Sequence, residues 1–214
     1  MAEVGQHTAV VVVEIGNYPR MVASLRRLGA EVTPGLSAAD IASAPRLVVP
    51  GFVPWDTTLS LFQKKGLGSA LKARIKAGLA TLVVGDATLL LSSWHRTSPG
   101  QPGLGLIPGV VSRLPDYTSR GGLVPIPHLG WTEVKSTSLP SPFQEQLDQS
   151  FYFAHDHILS PTENWGEVVA AESTHALLFP AAFFRGNLLA LQFNPELSGD
   201  AGDRLLSRWL HPLT

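Results

Sequence analysis

Along the first half of the chain, short aliphatic runs alternate with stretches whose apolar positions recur at helical spacing. Thr8–Glu14 is a nearly unbroken β-branched run, the pattern of a strand covered on both faces. Gly16-Asn17 turns the chain, with Asn17 as a cap and Pro19 in a first helical turn. Met21, Val22, Leu25 and Leu28 then line one helix face, and Gly29 stops it. A short strand is expected near Glu31–Thr33 and another over Arg46–Val49, ending at Pro50-Gly51. Leu59–Lys76 predicts one helix, Thr81–Val84 a fourth strand, and Gly85 a sharp turn into a helix over Leu89–Trp94. Strands alternating with helices predict an α/β fold built on a mostly parallel sheet flanked by helices.

The second half changes period. Val110–Leu114, Leu123–Ile126, Trp131–Lys135, Phe151–His155, Glu167–Ala171, Ala182–Phe184 and Leu188–Phe193 read as short strands between Gly, Pro, Ser and Asn. They predict antiparallel strands added to the α/β core. Ala201–Leu210 carries the apolar stripe of a closing helix, and Ser136–Pro142 is too short to link domains. Residues 1–214 are therefore expected to form a single domain, consistent with a length of 214 residues.

Charge and cysteine content narrow the chemistry. Sixteen basic and seventeen acidic residues leave a net charge of −1, so no overall field favours nucleic acid or an anionic membrane surface. The absence of cysteine excludes a disulfide framework, a thiolate zinc site and a cysteine nucleophile. The longest apolar runs are strand-sized, and the N-terminus lacks the pattern of an export signal, so a cytoplasmic location is expected.

In an open parallel sheet, ligands bind beyond the carboxyl ends of the strands. Three such turns stand out: Glu14-Ile15-Gly16-Asn17, Pro50-Gly51-Phe52-Val53-Pro54-Trp55 and Gly85-Asp86-Ala87-Thr88. The last has the strand–turn–helix shape of a nucleophile elbow, with alanine at its tip. It is also the shape of an ordinary βα turn.

Several segments, in order and at matching spacing, resemble a known family. They are Arg26-Arg27-Leu28-Gly29-Ala30, Pro50-Gly51, Gly103-Leu104-Gly105-Leu106-Ile107-Pro108-Gly109, Pro127-His128-Leu129-Gly130-Trp131, Tyr152-Phe153-Ala154-His155 and Gln192-Phe193-Asn194-Pro195-Glu196. The chain resembles class I glutamine amidotransferases, and in particular the glutaminase subunit of imidazole glycerol phosphate synthase, an enzyme of histidine biosynthesis. That resemblance implies a flavodoxin-like fold and a Cys–His–Glu triad. Carried onto this sequence, the cysteine position is Ala87, the histidine position Asn194, and the glutamate is kept as Glu196. Leu89, Leu91 and Leu197 replace the elbow glycine, a glutamine and a lysine. One engineered Cys→Ala exchange accounts for Ala87 but not for the other departures.

Acyl transfer from glutamine needs a nucleophile with a base in hydrogen-bond reach. A methyl group cannot attack, an asparagine amide cannot take up the proton, and losing a nucleophile costs on the order of 10⁶-fold in kcat. The resemblance therefore implies a subunit with a degenerate site, whose role beside a cyclase-like (β/α)₈ barrel partner is structural or regulatory. The alternative is a repurposed enzyme, in which the same cleft carries another reaction with some of Asp86, Thr88, His128, Asn194 and Glu196, and a third reading is a ligand-binding sensor with neither partner nor chemistry.

Gly51, Phe52, Val53, Asp86 and Thr88 would form the cleft and its oxyanion loop, with the Thr88 amide opposite Phe52 or Val53. Asp86 also reads as a helix cap, and Pro54 and Trp55 as a partial plug. Asn17, Pro127, His128, Gly130, Trp131 and Tyr152 fall on the face implied to meet the partner. His155, Asp156 and His157 suggest two imidazoles on one face, but no third ligand is evident, so no metal site is expected. His7, His95, His175 and His211 lack a motif and are expected at the surface. No cofactor is implied.

Overall fold

A computed structural model describes residues 8–51, 53–96, 102–162 and 167–212. The elements run β1 Ala9–Val13, α1 Tyr18–Arg27, β2 Glu31–Gly35, α2 Ala38–Ser43, β3 Arg46–Val49, α3 Trp55–Lys64, α4 Leu67–Lys76 and β4 Thr81–Val84. After a 3-10 segment at Gly85–Leu91 come β5 Trp94–His95, β6 Gly109–Arg113, β7 His128–Ser136, α5 Gln144–Leu147, β8 Ser150–His155 and β9 His157–Pro161. The chain closes with β10 Val169–His175, β11 Leu177–Arg185, β12 Leu188–Leu191, a 3-10 turn at Pro195–Leu197 and α6 Gly199–Leu210.

The large sheet has the order β2-β1-β3-β4-β12-β11-β10-β7-β8. From β2 to β12 the pairs are parallel, and from β12 to β8 they are antiparallel. The expected α/β class, with antiparallel strands added in the second half, is borne out. A smaller sheet, β5-β6-β9, packs beside it. Buried Gln192 ties the two together: its Oε1 accepts from Leu159 N at 2.8 Å, and its Nε2 donates to Leu159 O and Pro180 O.

The central strands are aliphatic because both their faces are covered. In β4, Leu82 and Val84 join the core under α1 and α6, while Val83 joins the core under α3 and α4. Strand pleating makes that division. On the second face, buried Arg74 of α4 donates to Ile41 O, Ala44 O and Ala80 O and to Thr81 Oγ1. It thereby joins α4 to the end of α2 and the start of β4. Among the described residues, no helix is long and apolar enough to cross a membrane.

Several local expectations are corrected. The helix expected over Leu59–Lys76 is two, because Gly66 takes a left-handed φ of +65° and starts α4 afresh. Gly85–Leu91 is one 3-10 segment, and Trp94 lies in β5 instead of a helix. Around Leu123–Ile126 the backbone makes only an isolated bridge, Tyr117 to Leu123. Strand β10 spans Val169–His175, displaced from the expected Glu167–Ala171.

Candidate functional site

The cleft lies where β1, β3, β4 and β12 end. Gly51, at the end of β3, runs so close to the elbow that an added Cβ would lie 2.5 Å from Asp86 N and 2.6 Å from Val84 O. Gly85 opens the elbow with a φ of +58°, and its missing Cβ would meet Asn194 Nδ2 at 3.1 Å. Only glycine combines that backbone with that contact. The tight turn therefore depends on Gly51 and Gly85.

Ala87 is at the elbow, 1% exposed. Buried Thr88 donates its hydroxyl to Gly85 O at 2.7 Å, so the side chain holds the turn together. Asp86 does not cap a helix: the segment has no side-chain cap, and its half-buried carboxylate faces the cleft. Burial, with Asp156 nearby, pushes its pKa up to about 7. Val53 borders the cleft; Phe52, the other expected oxyanion-loop residue, lies outside the described residues.

Asn194 is buried, and its Nδ2 donates to Glu196 Oε1 at 3.1 Å. Burial raises the pKa of Glu196, against the hydrogen bonds and the Arg20 charge that lower it. Asn194 Oδ1 and Glu196 Oε2 have no hydrogen-bond partner. Asn194, Glu196 and the elbow therefore come together as expected, with an amide where proton-transfer chemistry would need a base.

A cavity of about 460 Å³ opens beside the elbow. Pro54 and Trp55 form part of its wall, and Trp55 stacks on His95 with ring centroids 4.9 Å apart. Leu89 also borders the cavity, whereas Leu91 is buried in the core. Sequence reasoning missed His95, which is buried and lines the cavity. It lies outside any motif, and the fold carries it there from β5.

The expected outward position of His128 is overturned. It is 3% exposed and stacks on His175 at 3.9 Å and on Phe153 at 4.8 Å. His155 Nδ1 must donate to His157 O at 3.0 Å, because a carbonyl can only accept. In neutral His155, Nε2 then accepts from His128 Nδ1 at 3.1 Å, leaving His128 Nε2 to accept from Thr132 Oγ1 at 2.8 Å. Burial and neighbouring imidazoles push His128 down to about 3. Burial pushes His155 down to about 4. His175 likewise lies in this stack and not free at the surface, with Nε2 at 2.9 Å from Pro125 O.

His157 pairs with Asp156 Oδ1 at 2.7 Å and approaches the His95 ring, so the two histidines of the His-x-His pattern take different partners. Among the described residues, no group of three or more His, Cys, Asp or Glu could hold a metal ion. His211 is exposed, and His7 lies outside the described residues.

Trp131 is 57% exposed and meets Tyr152 edge-on at 6.1 Å, across paired positions of β7 and β8. Pro127 is exposed, Gly130 and Asn17 are half-buried. Tyr152 links this face to the cleft, because its carbonyl accepts from Asn194 N at 2.9 Å.

No family model matches the chain. It is similar to imidazole glycerol phosphate synthase subunit HisH of Gloeobacter violaceus, 33% identical over 206 residues, covering 94% of this chain and 88% of that one. The same subunit of Renibacterium salmoninarum is 31% identical over 212 residues, covering 92% and 90%. A crystal structure of a glutamine amidotransferase superposes with a TM-score of 0.69 at 21% identity, covering 94% of this chain and 97% of that one. This last likeness concerns the fold.

Proposed function

Because the chain belongs to the HisH family of glutamine amidotransferase subunits, we propose that it is a catalytically degenerate member, a structural or regulatory subunit without glutaminase activity. The observation that carries this reading is Ala87 at the tip of a preserved elbow. Its methyl group has no lone pair with which to attack an amide carbon. Asn194 compounds the loss, since its amide is bonded to Glu196 and cannot relay a proton.

The partner under this reading is a cyclase-like (β/α)₈ barrel. Exposed Trp131, next to Gly130 in the chain and paired with Tyr152 across the sheet, supports that side as the docking face. His128 no longer belongs to it, because its ring is buried. The test is ammonia release from glutamine, with the chain alone and with the barrel subunit of the same source. Background release is expected; turnover that Glu196→Ala abolishes would overturn the reading.

A second reading, another reaction in the same cleft, is favoured by Asp86. A carboxyl that titrates at about 7 is matched to acid–base work near neutral pH.

A further inference from the structure

The cavity beside the elbow has a one-sided lining. Its polar wall carries three carboxylates, Asp56, Asp86 and Asp156, together with His95, His155 and His157. No Lys or Arg lines it among the described residues. Val53, Pro54, Trp55, Leu89 and Leu129 supply apolar surface. A volume of about 460 Å³ suits a small organic molecule.

The carboxylates are not equivalent. Asp156 is held by His157 at 2.7 Å, and Asp56 accepts from Thr57 N at 2.7 Å. Asp86 makes no hydrogen bond or ion pair with any described residue, although it is half-buried next to Ala87 at the elbow. A half-buried carboxylate with no partner of its own, in the wall of a cavity without Lys or Arg, is open to a partner from outside.

The group that complements such a carboxylate is a cation. We propose that this cavity binds a small organic cation, a primary amine on an apolar body, with its ammonium group on Asp86 and its hydrocarbon against Trp55, Leu89 and Leu129. This rests on the reading that the cleft has left glutamine chemistry. An α-amino acid would bring a carboxylate against Asp86 and Asp156, and no lining cation would meet it. Of the histidines, burial and His157 hold His95 below its ordinary pKa, and burial holds His155 low, so neither opposes the ligand as a cation near neutral pH. Arg113, which acts on Asp156 from outside the cavity, is held by Asp116 at 3.0 Å.

The experiment is calorimetric titration of the full chain with phenethylamine, with 3-phenylpropionate as the anionic isostere and glutamine alongside. Phenethylamine should bind with a dissociation constant of about 1 mM or below. Its affinity should fall at least about ten-fold in Asp86→Asn, the loss expected for a hydrogen bond to a charged group. Binding should release a proton at about pH 6.5, seen as a buffer-dependent heat, because the ammonium favours ionised Asp86. Leu129→Ala, whose side chain is exposed, should weaken phenethylamine without abolishing the proton release. Equal binding of 3-phenylpropionate, unchanged affinity in Asp86→Asn, or no saturable amine binding overturns the proposal. Glutamine turnover is read separately, so a working glutaminase would refute the degenerate reading without deciding the amine result.

Discussion

Asn194 donates its amide hydrogen to Glu196 Oε1 across 3.1 Å, so this carboxylate is engaged by a group that does not titrate. The carboxylate still has an orienting neighbour, but orientation without a base activates nothing. One oxygen on each side chain lacks a partner, so the pair is an incompletely satisfied buried polar network.

That arrangement bears on rescue. Ala87→Cys with Asn194→His supplies a nucleophile and a base while Leu89 still borders the cavity and Asp86 and Asp156 keep it acidic. Labelling by an electrophilic glutamine analogue, followed by mass spectrometry, should remain well below one adduct per chain. Stoichiometric modification of the new thiol would show that the cavity still accepts an amino acid.

The parallel half was legible because its strands are aliphatic on both faces, as the split of Leu82 and Val84 from Val83 makes plain. Asn194 and Glu196 beside the elbow were legible only through the resemblance, since they join it from β12, far along the chain. His128 was not legible. Its neighbours alternate in exposure along β7, and only the stacking of His175 and Phe153 from other strands makes its side interior. Asp86 read as a cap because an acidic residue after a turning glycine commonly caps; the 3-10 winding of the segment removed that option. Gly66 was hidden inside a helical period that continues on both sides of it.

Arg74 should be among the most costly residues to replace. It is 2% exposed, and its guanidinium serves Ile41 O, Ala44 O and Ala80 O without a carboxylate. Arg74→Ala should lose about 3 kcal/mol or more by urea denaturation, because buried carbonyls lose their donor. Arg74→Met, which keeps the apolar stem, should recover only part of that loss. Full recovery would assign the effect to packing.

The histidine stack predicts acid sensitivity. His155 is held near 4 in the folded chain, against about 6.5 when unfolded. The unfolded state therefore binds more protons between these values, and stability falls as pH drops from about 6.5 towards 4. His155 alone accounts for about 3 kcal/mol across that window, and His128, pushed down to about 3, deepens the loss. His155→Gln should be less stable at neutral pH but should show a flatter acid limb. Parallel limbs in denaturation series from pH 8 to 4 would exclude the stack as the cause.

Asp86 has the opposite sign. Its folded value of about 7 exceeds the ordinary ~3.9, so ionising it costs stability as pH rises through that interval. Asp86→Asn should therefore raise the unfolding free energy at about pH 8 by roughly 2 kcal/mol or more, with a matching rise in melting temperature, and change little at about pH 4. A cavity that holds an unpaired charge for a ligand gives up stability in this way. Equal effects at both pH values would mean that the asparagine acts by packing.

Trp131 tests the docking face. Its ring is 57% exposed and touches Tyr152 edge-on at 6.1 Å, so the free chain gains little from it. Aromatic residues near the centre of an interface often dominate its energy, and truncating such an anchor costs about 2 kcal/mol or more. Trp131→Ala should therefore weaken association with the barrel subunit about thirty-fold, while the melting temperature of the free chain stays nearly unchanged. His128→Ala should do the reverse, unfolding the chain more easily because it removes the ring between His175 and Phe153. Binding and melting measured on both variants separate surface from core. Unaltered association by Trp131→Ala would remove this face as the docking site, and a large melting loss would make its contact with Tyr152 structural.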